Sequence, residues 1–300
     1  MNYKGKKNLP MELIWRTILL FWWILWHLPH RRALYLGTAI GWIVWALSKR
    51  RVDRAEARCV RALGVGVSLA REVVKSSYLN LGKSLAEFLR FPVMGAEVEK
   101  FVEIHGEENI KNAFDEGHGV ILLTAHLGNW EMAAAVLGRK GYPMNAIGAE
   151  QRDSRITELI QLLRASSLVK TIGKGFDLKA ALTCLKSGEI LGVLLDQDFG
   201  SRGIVAPFLG IDASTPYGPL KMADKLKSRI VPLFIIRRPD GINHDLYLLP
   251  PLKPPSGESF GDDLEGSVRL CNDIISEWIS RYPGQWMWLY PRWASTTGDR

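Results

Sequence analysis

Cysteine is scarce in this sequence of 300 residues: Cys59, Cys184 and Cys271 stand far apart and form no C-x-x-C pair. That spacing excludes a disulfide framework and a cysteine zinc site, and it suits a reducing cytosolic compartment. No G-x-S-x-G elbow and no H-E-x-x-H stretch occurs, which removes serine-nucleophile and zinc hydrolysis of the usual kinds. Gly-Lys-Gly at 173 to 175 lacks the spacing of a phosphate-binding loop and reads as a turn. Internal repeats and low-complexity tracts are absent as well. Long apolar runs are also missing: TILLFWWILW and ALYLGTAIGWIVWALS each fall short of the roughly 20 residues a spanning helix needs, with His30, Arg31 and Arg32 between them. Lys4, Lys6 and Lys7 precede the first run, but no small-x-small cleavage site follows Trp26, which counts against a signal peptide.

The hydrophobic content, 47%, is enough to bury the core of one large domain or two small ones. The net charge is +8, but its placement matters more than its size. Residues 1 to 61 carry twelve Lys/Arg against Glu12, Asp53 and Glu56, a local +9 that leaves −1 for the rest of the chain. The same segment holds six of the eleven tryptophans: Trp15, Trp22, Trp23, Trp26, Trp42 and Trp45. Tryptophan favours the lipid headgroup layer and Lys/Arg attract anionic lipid, so the basic balance points to a membrane surface and away from nucleic acid. Residues 1–50 are expected to form a hydrophobic helical membrane anchor and 51–300 a catalytic domain. A single span from about Met11 to Leu28, two helices dipping into one leaflet, and an ordinary buried helical hairpin all fit the pattern.

Beyond the basic helix-like connector KRRVDRAEARCVRALG, residues 68 to 90 have the apolar spacing of an amphipathic helix. From Phe101 the texture alternates. VEIHG, GVILLTAH, GEILGVLLD and RIVPLFIIRR are short β-rich runs, while NIKNAFDEG, WEMAAAVLGRKG, DSRITELIQLLRASS and DLKAALTCLKSG carry helical periodicity. This predicts an α/β fold with a mostly parallel central sheet flanked by helices. HDLYLLPPL reads as a later strand, KPPSGESFGDD as a loop, and DLEGSVRLCNDIISEWISRYP as a helix ending at Pro283.

The run VILLTAHLGNWEMAAAV, 120 to 136, stops being core-like at His126. In a continuous helix His126 and Glu131 would lie roughly 140° apart. A strand ending near Ala125, a turn at His126, Leu127 and Gly128, and a helix capped by Asn129 would instead fold the two together. Ligands of open α/β sheets sit beyond the carboxyl ends of strands, where this turn lies. A neutral imidazole there can take a proton from a hydroxyl, and a carboxylate on its other nitrogen fixes the tautomer; Glu131 is the expected partner. Turn and capping roles would account for the same residues without any chemistry.

AHLGNWE also matches the H-x-x-x-x-D/E signature of glycerolipid acyltransferases and in this form resembles the lipid A late acyltransferase family. DQDFGSRGIVAPFLGIDASTPYGP, RIVPLFIIRRPDG and PGQWMWLYPRW resemble the family's later segments in the same order, so the likeness spans roughly residues 100 to 293. It implies His126 as general base, Glu131 as its partner, and Arg164 and Asp196 as residues that orient substrate or the dyad. It implies no cofactor and no metal, an acyl thioester on acyl carrier protein or coenzyme A as donor, and a hydroxyl of a lipid A precursor or related glycolipid as acceptor. It also implies a place on the cytoplasmic face of the inner membrane. Gln197 stands where some members have a second histidine.

Asp196-Gln197-Asp198 after an apolar strand also suits a metal-dependent membrane glycosyltransferase, the alternative reading. Arg152, Arg155, Lys170, Lys174 and Arg202 could meet acceptor phosphates or be plain surface charge. His27 and His30 are expected at the membrane edge, and His105, His118 and His244 singly near turns without a paired carboxylate.

Overall fold

A computed structural model describes residues 9–173 and 177–299; Lys4, Lys6, Lys7 and Lys174 lie outside the described residues. Four helices come first: α1 (Leu9–His27), α2 (His30–Leu47), α3 (Lys49–Leu63) and α4 (Val67–Met94). Alternation follows: β1 (Val102–His105), α5 (Glu107–Asp115), β2 (Val120–Thr124), α6 (Trp130–Arg139), β3 (Met144–Ile147), α7 (Ser154–Ala165), β4 (Lys170–Ile172), α8 (Leu178–Lys186) and β5 (Ile190–Leu194). The chain closes with a hairpin β6 (Ile204–Phe208) and β7 (Ile211–Thr215), then α9 (Gly218–Leu226), β8 (Arg229–Arg237), β9 (His244–Leu248), α10 (Leu264–Arg281) and a short α11 (Ala294–Thr297).

The central sheet runs β1-β9-β8-β2-β5-β3-β4. Strands β8, β2, β5, β3 and β4 are parallel, and β9 turns back antiparallel beside β8. Every residue of β2 is buried, as a strand covered on both faces requires. One apolar core fills the side of α10, α9 and α8, and another the side of α6 and α5. The mostly parallel α/β sheet expected from alternation is present. Strands β3 and β4, of four and three residues, and the hairpin β6–β7 escaped the sequence reading.

Among the described residues no helix is long and apolar enough to cross a membrane, so the single span from Met11 to Leu28 is not formed. Glu12 and Arg16 interrupt the start of that run, and Pro29 separates α1 from α2. The two helices instead lie against α4. Gly37, Gly41 and Gly82 let backbones meet: a Cβ on Gly37 would stand 2.5 Å from the Gly82 carbonyl oxygen, and one on Gly82 would stand 2.2 Å from that of Gly37. Arg90 ties the α1–α2 turn to α4 through the carbonyls of Leu25 and Leu28. The outer faces stay bare: Leu13 is 67% exposed and Trp23 60%, with Tyr35, Trp42, Ile43 and Leu47 continuing the apolar surface on α2.

Candidate active site

The chain stops being a strand at His126 for local reasons. Leu127 N–H donates back to the Ala125 carbonyl at 2.7 Å, and Gly128 takes a left-handed φ of 66°. A Cβ at Gly128 would fall 1.7 Å from the Ile235 carbonyl oxygen, so only glycine passes here. Asn129 then caps α6, its Oδ1 accepting from Met132 N–H at 3.1 Å, and Glu131 sits in the first turn. Strand, turn and cap fall where the sequence placed them.

The partnership does not. His126 Nδ1 lies 2.8 Å from Asp196 Oδ1, and the His126 backbone N–H donates to Asp196 Oδ2 at 2.8 Å. Register explains the choice: Thr124 faces Leu194 across the β2–β5 ladder, so residues two further on each strand emerge side by side. Trp286 Nε1 donates to the same Oδ2 at 2.8 Å. Burial alone would push the Asp196 carboxyl up; the facing imidazole and these N–H donors outweigh it and hold the group below its usual range. His126 Nε2 is left without a hydrogen-bond partner among the described residues, and the ring meets Trp130 edge-on at 4.8 Å.

Glu131 turns instead to Arg164, which donates from Nε at 2.9 Å and Nη2 at 2.6 Å. The expected His126–Glu131 dyad is thus two pairs, His126–Asp196 and Glu131–Arg164. The second borders a narrow apolar slot of about 40 Å³ whose walls include Trp130, Ala133, Gly192 and Leu194.

Behind the turn stands a layer that the sequence reading passed over. Asn80 Nδ2 and Ser84 Oγ donate to the Gly128 carbonyl at 3.1 and 3.2 Å, and Asn129 Nδ2 donates to Glu87 Oε2 at 2.7 Å. Arg237 binds Glu87 through both terminal nitrogens, at 2.7 and 2.6 Å, and reaches Asn80 Oδ1 at 2.9 Å. The signal was available: Asn80, Ser84 and Glu87 recur at i, i+4 and i+7 on an otherwise buried helix face. From the other side Met287 N–H donates to the His126 carbonyl, and buried Arg292 donates to the carbonyls of Gln197 and Ser214.

Several cations are already engaged. Arg155 pairs with Asp153 and Glu12, Lys170 pairs with Glu189, and Arg202 lies over the Phe199 ring. Three histidines differ from expectation: His105 sits 2.9 Å from Asp245, His30 is tucked against Phe101, and buried His244 stands 3.8 Å from Glu87. Asp196 offers its oxygens to N–H donors, while Asp198 accepts from Ser295.

The sequence pattern of the bacterial lipid A biosynthesis acyltransferases matches residues 3–295. The chain belongs to that family. This member is 26% identical to the lipid A biosynthesis lauroyltransferase of Escherichia coli K12 over 94% of its own length and 92% of that protein. It is 25% identical to the palmitoleoyltransferase of the same strain, over 94% and 91%. It is also 22% identical to the phosphatidylinositol mannoside acyltransferase of Mycolicibacterium smegmatis, over 76% and 74%. This family member is therefore an O-acyltransferase, and the glycosyltransferase alternative falls.

Proposed function

We propose that the protein moves a fatty acyl chain from a thioester, on acyl carrier protein or coenzyme A, to a hydroxyl of a lipid A precursor or related glycolipid. The observation that carries the chemistry is His126, with Nδ1 engaged by buried Asp196 and Nε2 free. A carboxylate on Nδ1 keeps its proton there and makes Nε2 the basic nitrogen. Nε2 takes the acceptor hydroxyl proton as the oxygen attacks the thioester carbonyl. The C–S bond then breaks, and the departing thiolate takes that proton back. Glu131 and Arg164 act as a unit that orients substrate beside the apolar slot, which seats part of the alkyl chain. The test is incubation of purified protein with a radiolabelled dodecanoyl thioester and a lipid A precursor. Label should pass to the lipid and add one acyl group by mass; hydrolysis alone, or no turnover, would sink the reading.

The acceptor is met at a bilayer, with the catalytic domain at the cytoplasmic face of the inner membrane. Support comes from the bare faces of α1 and α2, with exposed Arg31 and Arg32 at their junction. Such a surface lies in the headgroup layer without crossing it. The protein should sediment with vesicles containing anionic lipid and bind them less as salt rises. Equal recovery in the supernatant with and without vesicles would remove this part.

A further inference from the structure

Among the described residues, the Asp196 carboxylate accepts three hydrogen bonds, and two of them come from one residue. His126 supplies Nδ1–H to Oδ1 and its backbone N–H to Oδ2, so these bonds tie the carboxylate to His126 and move with it. The third, from Trp286 Nε1 to Oδ2 at 2.8 Å, is the one that His126 does not provide. The donor is itself firmly held. Trp286 is 1% exposed, its ring edge-on to Trp288 at 4.6 Å, with Phe208 at 5.8 Å and Trp293 at 6.1 Å. Its carbonyl accepts from Ser77 Oγ on α4, and Leu127 pairs with it in an antiparallel bridge. One residue earlier, Gln285 Oε1 accepts from the Arg237 N–H and Gln285 Nε2 donates to the Arg237 carbonyl, both at 2.9 Å, which fastens the segment to the end of β8.

We propose that Trp286 is a positioning residue for acyl transfer: it acts through Asp196 and fixes the direction in which His126 Nε2 meets the acceptor hydroxyl. The inference deepens the acyl-transfer reading and rests on it. With the two His126 bonds alone, carboxylate and imidazole can turn together about their own side-chain torsions. A rigid donor on Oδ2 sets the plane of the carboxylate, and that plane sets where Oδ1 meets Nδ1 and so where Nε2 points. Direction matters because a base displaced by about 1 Å loses up to about 10²-fold in rate. A tryptophan in an aromatic box also serves packing, its N–H satisfied by whichever acceptor is near. The two roles part when the N–H is removed and the ring is kept.

Trp286→Phe keeps an aromatic ring in the box and loses the donor. With a radiolabelled dodecanoyl thioester and a lipid A precursor it should lower kcat about tenfold, the lower end of what a hydrogen bond to a charged group carries, with both KM values unmoved. Added to Asp196→Asn it should cost nothing further, because the carboxylate it acts through is gone. The same tenfold loss in both backgrounds, or none in either, overturns the proposal. A second readout needs no turnover. The downfield proton resonance of His126 Nδ1–H, assigned by its absence from His126→Ala, should broaden or move upfield in Trp286→Phe. A resonance unchanged by the substitution, or missing from the wild type, overturns the proposal as well. Should the wild type transfer no acyl chain at all, the acyl-transfer reading fails by itself, and the resonance still shows whether Trp286 positions the pair. If Trp286→Phe does not fold, Trp286→β-(3-benzothienyl)alanine, which keeps the outline of the ring system and lacks the N–H, takes its place in both measurements.

Discussion

His126→Ala is expected to lower kcat for acyl transfer by about 10²- to 10⁴-fold, the range that a positioned general base contributes. Asp196→Asn should do comparable damage, on the order of 10³-fold or more, while the protein stays folded and KM moves little. The amide oxygen can still accept from the His126 backbone N–H and from Trp286, which turns the amide nitrogen toward Nδ1. An N–H donor there forces the imidazole proton onto Nε2, and the base is lost through its tautomer. Glu131→Gln should cost less, because Glu131 meets Arg164 and not the ring. The ordering is the test: a Glu131→Gln loss deeper than that of Asp196→Asn would restore the pairing expected from the sequence. The pH profile adds a check. Asp196 is held below the usual carboxylate range, so its charge persists as pH falls. Protonation of Asp196 therefore does not set the acid limb of kcat/KM.

That pairing was misjudged for a reason particular to sheets. Composition and periodicity located β2, the break at His126, the Asn129 cap and the first turn of α6, because each is written in adjacent residues. Asp196 lies 70 positions away, and only the β2–β5 register brings it to His126. Glu131 was the nearest acid in sequence, and nearness in sequence misled. The same limit hid Trp286, which reaches Asp196 from 90 residues away. Strands β3 and β4 went unseen because runs of four and three residues are too short to display a period. The N-terminal helices were visible as apolar runs, yet nothing local said that Gly37 and Gly41 would dock on Gly82.

The layer behind the turn predicts the largest loss of stability. Glu87 is fully buried; burial would push its carboxyl up, but Arg237 outweighs this and holds it down to about 2. His244 beside it is pushed down to about 4 by burial, so at neutral pH it is uncharged and Arg237 is the cation bonded to the carboxylate. Glu87→Gln or Arg237→Met leaves one buried charge unmatched, and each should cost about 3–5 kcal/mol in urea unfolding at pH 7. Glu87→Leu with Arg237→Met removes both charges and should cost much less than the single losses combined, a coupling that only a direct pair produces. The remaining cost falls on Asn129, whose Nδ2 loses its acceptor while Oδ1 still caps α6, and on Asn80, whose Oδ1 loses its donor. The double variant should therefore keep most of its stability and still lose kcat, because the turn bearing His126 is less firmly held. Acid works in the same direction. A depressed Glu87 contributes fully above its unfolded value near 4.5 and loses that contribution as pH falls toward 2, while depressed His244 weakens the fold between about 6.5 and 4. Wild-type stability should thus decline in two stages below pH 6.5, and the lower one should be smaller in the double variant, where Asp196 but not Glu87 still contributes to it. Equal acid sensitivity in both proteins would mean that Glu87 is not the group that titrates.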